Sequence, residues 1–132
     1  MLKMNKEVIE AIVAHAKREA PLEACGYLAG KDGIAVMAYP LANADASEDH
    51  FSLKPEEQFA AVRQIRAAGM RLCAIYHSHP CSEARPSAED IRLADDPEIS
   101  YVIVSLSGKT ETVRSFKIQG SVVEKEEVEI LG

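Results

Sequence analysis

The sequence predicts one α/β domain over residues 1–132, built on a mixed, largely antiparallel sheet flanked by helices. Three observations carry that expectation. The length of 132 residues suits one domain. Stretches of helical period alternate with more numerous short runs of strand character. Several neighbouring strand runs are joined by turn signals short enough to make them antiparallel.

The elements follow in order. Asn5 is a plausible N-cap, and Val8, Ile9, Ile12, Val13 and Ala16 repeat at helical spacing until Pro21 closes the helix. Cys25 to Gly30 is a short apolar run, Lys31-Asp32-Gly33 a turn, and Ile34 to Tyr39 a second strand, so the two form a hairpin. Pro40 to Asp49 is polar and irregular, and Phe51 to Leu53 reads as a brief strand. Pro55 opens a second helix, with Glu56 and Glu57 in its first turn and Gly69 as its stop. Arg71 to Tyr76 is a buried strand running directly into His77. A loop from Cys81 to Pro86 leads to a short helix capped by Ser87. Tyr101 to Leu106 is a strand rich in β-branched residues, followed by strands over Thr112 to Ile118 and Val122 to Ile130.

Composition narrows the function. Hydrophobic residues make up 47% and charged residues 27%, as in an ordinary globular protein. The net charge is −6, the basic residues are scattered along the chain, and Lys125 lies in an acidic run, which argues against a nucleic-acid partner. No stretch approaches the ~20 apolar residues of a membrane span, and no signal sequence is visible. Three cysteines without paired spacing (Cys25, Cys73 and Cys81) fit a reducing cytoplasm rather than a disulfide framework. Cys25 and Cys73 read as packing residues.

The chemistry gathers at His77-Ser78-His79-Pro80. Side chains at i and i+2 of a strand share a face, so both imidazoles can converge on one ion while Ser78 points away. Pro80 ends ladder pairing. A catalytic zinc takes three protein ligands and leaves a fourth position for water. Asp90, in the first turn of the next helix, can fold back over the strand end as the third ligand. Two neutral imidazoles and one carboxylate leave positive charge on the ion, which lowers the pKa of the water. Ser87 and Asp90 are also what a capping box wants, so each has a purely structural reading. The joint pattern, H-x-H followed by seven residues, Ser, two residues and Asp, arises by chance on the order of once in several thousand such sequences. Cys81, two residues beyond His79, reads first as a bystander in its loop; it can also approach the site, where a thiolate in the fourth position would suppress hydrolysis. His15 and His50 have no partner at ligand spacing.

His77-Ser78-His79-Pro80 with Ser87 and Asp90 resembles the signature of the JAMM (MPN+) metallopeptidases. The segment Pro21-Leu22-Glu23-Ala24-Cys25-Gly26-Tyr27-Leu28-Ala29-Gly30 is similar to that family's glutamate-bearing stretch, and the element order agrees over nearly the whole chain. The resemblance implies an MPN-like (cytidine-deaminase-like) domain, zinc on His77, His79 and Asp90, and Glu23 as acid/base. Among acidic residues, the sequence alone does not prefer Glu23 over Glu83 or Glu89. Ser87 corresponds to a serine that stabilises the tetrahedral oxyanion, a duty that competes with capping for one hydroxyl.

The resemblance further implies a peptidase or isopeptidase acting at the C-terminal tail of a ubiquitin-like protein. No long insertion lies between Pro40 and His77 or after Asp90. The chain is thus similar to the short prokaryotic members associated with sulfur-carrier proteins. A non-catalytic MPN scaffold is the alternative, although such relatives lack zinc ligands that are present here. A zinc deaminase needs H-x-E and P-C-x-x-C, and neither occurs.

Overall fold

The computed structural model describes residues 1–132. Eight strands and three helices follow one another: β1 (Leu2–Asn5), α1 (Lys6–Glu19), β2 (Cys25–Lys31), β3 (Ile34–Leu41), α2 (Pro55–Ala67), β4 (Arg71–His79), α3 (Ala88–Leu93), β5 (Ser100–Ser105), β6 (Thr112–Gln119), β7 (Val122–Glu126) and β8 (Val128–Leu131). The strands form one sheet in the order β7-β6-β5-β4-β2-β3-β1-β8. Four of the seven pairings are antiparallel; β1–β3, β1–β8 and β4–β5 are parallel.

Helix α1 lays Val8, Ile12 and Ala16 on one face of the sheet, against Leu28, Ala74, Tyr76, Val102 and Val104. Its N-cap is Asn5, as expected, though the Asn5 side chain makes no capping bond. The opposite face packs Ala61 and Ile65 of α2 over Tyr27 and Ala29, and a second cluster gathers Tyr101, Ile103, Phe116 and Ile118. Strand β4 serves both layers by alternation: Ala74 and Tyr76 face α1, whereas Ile75 packs with the other clusters. Since His77 and His79 share the parity of Ile75, they emerge on the face bearing α2 and α3.

Three expectations are corrected. Leu2–Asn5, not foreseen as a strand, buries Leu2 and Met4 by period-2 alternation and pairs on both sides. Phe51 to Leu53 is not a strand: the Ser52 N–H donates to Asn43 Oδ1, and the Ser52 carbonyl accepts from Ala44, so its backbone bonds inside its own loop. The run from Val122 to Ile130 is two strands rather than one. Strand β7 pairs with β6 at one edge of the order and β8 with β1 at the other. Only Glu127 separates them, and its carbonyl accepts the Leu2 N–H at 2.8 Å. The two edges therefore meet, and the sheet is curled back on itself.

A candidate metal centre at the end of the fourth strand

His77 and His79 close β4 and are both 5% exposed. Their Nε2 atoms lie 3.1 Å apart, and Asp90 Oδ2 is 3.1 Å from the first and 3.2 Å from the second. The triangle is nearly equilateral. A tetrahedral zinc with bonds of ~2.0–2.1 Å separates its ligand atoms by about 3.3 Å, so the three donors fit that ion with little adjustment. Ring chemistry agrees. His79 Nδ1 lies 2.8 Å from the Glu83 carbonyl, which can only accept; Nδ1 therefore carries a hydrogen, and Nε2 is the nitrogen left to give its lone pair to an ion. The His77 ring is stacked on Phe51, with centroids 4.8 Å apart and planes inclined by 29°. These three residues form a group that could hold a metal ion, and Cys81, His15 and His50 stand outside it.

Asp90 reaches the histidines because α3 starts where it does. Ser87 Oγ accepts the Asp90 N–H at 3.0 Å, and Asp90 Oδ2 accepts the Ser87 N–H at 2.9 Å. The capping box is thus real, and the oxygen that completes it is the same one that faces the two imidazoles. Burial alone would raise the Asp90 pKa, but hydrogen bonds from His77 and His79 outweigh it and hold the carboxyl well below the usual carboxylate range. The expected competition over the Ser87 hydroxyl does not arise. Capping uses its oxygen as acceptor and leaves the hydroxyl hydrogen to donate elsewhere.

Glu23 is not a surface carboxylate at a helix exit. It is 4% exposed, and its Oε1 is buried with no hydrogen-bond partner. Burial pushes its pKa up to about 7; the His79 charge opposes that and the Asp90 charge adds to it. It occupies an irregular stretch between α1 and β2, so its position depends on neighbours. The Glu23 N–H donates to Ser47 O at 2.8 Å, and Asn43 Nδ2 donates to the Glu23 carbonyl at 3.1 Å and to His50 O at 3.0 Å. Asn43 Oδ1 accepts the N–H groups of Asp45 and Ser52. One step along, the Ala24 N–H donates to Ser78 Oγ at 2.7 Å, and the Ser78 N–H donates back to Ala24 O at 2.9 Å. Ser78 points away from the triangle, as strand alternation requires, and fastens the Glu23 segment to the strand bearing both histidines.

Asn43, Phe51 and Ser78 were not singled out from sequence. No spacing marks an asparagine in a polar loop as the clamp of a residue twenty positions earlier. The excluded histidines have other duties: His15 is buried with Nδ1 2.8 Å from Tyr76 Oη, and His50 pairs with Asp45 and Asp49. Cys25 is buried, Cys73 half-buried and Cys81 exposed, all three as free thiols.

Two cavities adjoin the triangle. His77 and Asp90 border an apolar pocket of about 250 Å³ lined by Phe51, Leu53, Ile75 and Ile103. His79 borders a polar trough of about 440 Å³ together with Ser87, Cys81 and Arg85.

Comparison with known proteins gives the family. Residues 5–119 match the family model described as prokaryotic homologs of the JAB domain. The CysO-cysteine peptidase of Mycobacterium tuberculosis is 36% identical, over 99% of this chain and 92% of the relative. The desampylase of Haloferax volcanii is 34% identical, over 82% and 83% respectively. Among solved structures, protein DSY2949 from Desulfitobacterium hafniense superposes with a TM-score of 0.89 at 41% identity, covering 99% of this chain and 93% of that one.

Proposed function

The chain belongs to the prokaryotic JAB-domain family of JAMM metallopeptidases and is a hydrolase, and from that premise we propose that it cuts an amide bond at the C-terminal tail of a ubiquitin-like or sulfur-carrier protein. The observation carrying the chemistry is the triangle of three donor atoms at zinc spacing. The substrate class is supported by relatives named for cleaving such proteins. The whole of residues 1–132 acts as one domain, working in the cytoplasm, where its free thiols stay reduced. No helix is long and apolar enough to cross a membrane.

His77, His79 and Asp90 would hold one zinc ion and leave a position for water. When bound, zinc supplies Lewis acidity to water and to the scissile carbonyl. The chain does the rest. Glu23, poised near neutrality in a buried setting, takes a proton from the attacking water and returns it to the leaving amine. The Ser87 hydroxyl donates to the developing oxyanion. The Glu83 carbonyl and Phe51 fix the two imidazole rings. A non-catalytic scaffold gains nothing from three convergent donors beside a buried carboxylate.

The test is to incubate candidate carriers bearing an extended C-terminus with the protein and follow their mass, with and without chelator. Chelator-sensitive trimming by the wild type, absent in Glu23→Gln with zinc content unchanged, supports the proposal. Unchanged trimming by Glu23→Gln would remove Glu23 from it.

A further inference from the structure

The basic residues that look scattered along the sequence are partly gathered by the fold. Arg85, Arg114 and Lys125 line one open cavity of about 510 Å³, with Ser107 and Thr112 beside them. That cavity shares Glu83, Arg85 and Ser107 with the trough bordered by His79 and Ser87, so the two lie side by side along those residues. Its single carboxylate, Glu83, is ion-paired to Arg85 at 2.7 Å. Arg114 and Lys125 are left without a carboxylate partner. In a protein of net charge −6, this is a local excess of positive charge next to the candidate metal centre.

Sheet register fixes how far these groups stand from the chemistry. His77 aligns with Ile103 on β5, and Ile103 aligns with Arg114 on β6. Aligned residues face the same side, and two strand spacings place the Arg114 Cα about 10 Å from that of His77. His79 aligns likewise with Ser105 and then Thr112. Arg114 and Thr112 therefore stand on the metal-bearing face, within an arginine's reach of a group held just beyond the triangle. The apolar pocket on the other side carries Glu89 and Asp95 on its wall and is unsuited to an anion.

Resting on the hydrolase reading above, we propose that these adjoining cavities are a leaving-group site in which Arg114, assisted by Arg85, binds the free α-carboxylate of a single C-terminal residue. When the amide C–N bond breaks, water gives its hydroxyl to the acyl carbon and a proton to the nitrogen. The released residue carries its carboxylate next but one to that nitrogen. A cation beside the triangle meets such a group, whereas the ε-amine of a lysine within a protein brings no carboxylate there. The chain is thereby specialised for releasing a terminal amino acid rather than for opening an isopeptide bond. Guanidinium suits the task because it grips a carboxylate with two parallel hydrogen bonds.

The experiment compares two synthetic peptides ending in Gly-Gly-Cys, one with a free C-terminal carboxylate and one amidated, using zinc-loaded protein at low salt. The acid is expected to be cleaved about tenfold faster in kcat/KM, a preference that weakens as salt is added. In Arg114→Gln the preference should fall to within about twofold, chiefly through slower cleavage of the acid. Equal cleavage of acid and amide by the wild type overturns the carboxylate site while leaving the hydrolase reading intact. So does a preference that survives in both Arg114→Gln and Arg85→Gln. If neither peptide is cut, titration of labelled protein with 2-aminobutyrate, which is cysteine-sized but lacks a thiol, decides the matter. Shifts at the Arg114 side chain with the acid and not with its amide support the site; their absence overturns it.

Discussion

Glu23→Gln should stabilise the metal-free protein at alkaline pH while removing its activity. The reasoning starts from a carboxyl that is 4% exposed, has an unpartnered oxygen, and is held at a pKa of about 7 against an ordinary 4.5. The folded state thus keeps a proton over a range of pH in which the unfolded chain has lost it. Stability attributable to Glu23 is greatest below about pH 4.5, falls as pH rises, and levels off above about 7. At about 1.36 kcal/mol per pH unit, the interval from 4.5 to about 7 amounts to about 3 kcal/mol at most. Glutamine has nearly the same shape and no charge, so it escapes that cost. At pH 8 the variant should be more stable by up to about 3 kcal/mol, or ~10 °C in Tm for a chain of this size. At pH 5 the gap should shrink below about 1 kcal/mol. Zinc should narrow it at pH 8 as well, because a nearby dication favours the ionised carboxyl. The assay is thermal unfolding in chelator at the two pH values, then with zinc restored. A variant less stable at pH 8, or a difference that ignores pH, would refute the buried-carboxyl argument.

Other perturbations separate the parts of the site. His77→Ala should abolish zinc retention, measured by metal analysis after gel filtration, while circular dichroism stays close to wild type. Asn43→Ala removes the amide that donates to the Glu23 and His50 carbonyls and accepts the N–H groups of Asp45 and Ser52; zinc should stay bound, kcat should fall well more than KM rises, and stability should drop by about 2–3 kcal/mol. Equal kinetics in that variant would show that the clamp does not position Glu23. Ser87→Ala should cost about 1 kcal/mol through the lost cap and about 10²–10³ in kcat through the lost hydroxyl donor, read by denaturant melts and single-turnover rates.

The parts of the site that sequence reveals are those governed by local periodicity. His77 and His79 are legible because a strand repeats every second residue. Asp90 is legible because helix starts have their own chemistry, and the same carboxyl oxygen serves the cap and the triangle. Glu23 could be chosen over Glu83 and Glu89 only by resemblance. Its burial comes from residues twenty and more positions away, and no local pattern records that. Phe51 defeats a local reading for the same reason: its apolar character suits a strand, but it is spent on the His77 ring. Leu2 and Met4 do alternate, yet four residues before a helix are too few to announce a strand. The split at Glu127 is invisible because both halves look extended, and what divides them is a change of partner.

That change of partner bears on how the chain is made. Residues 2–5 leave the ribosome more than a hundred residues before their partners on one side, 128–131. Until those emerge, the nascent domain shows an open row of backbone donors and acceptors along its first strand, the kind of surface that recruits other chains. Loop closure over more than a hundred residues is also slow compared with local pairing. The seam therefore stays adhesive until the chain beyond Glu127 has been made and has folded back to close it.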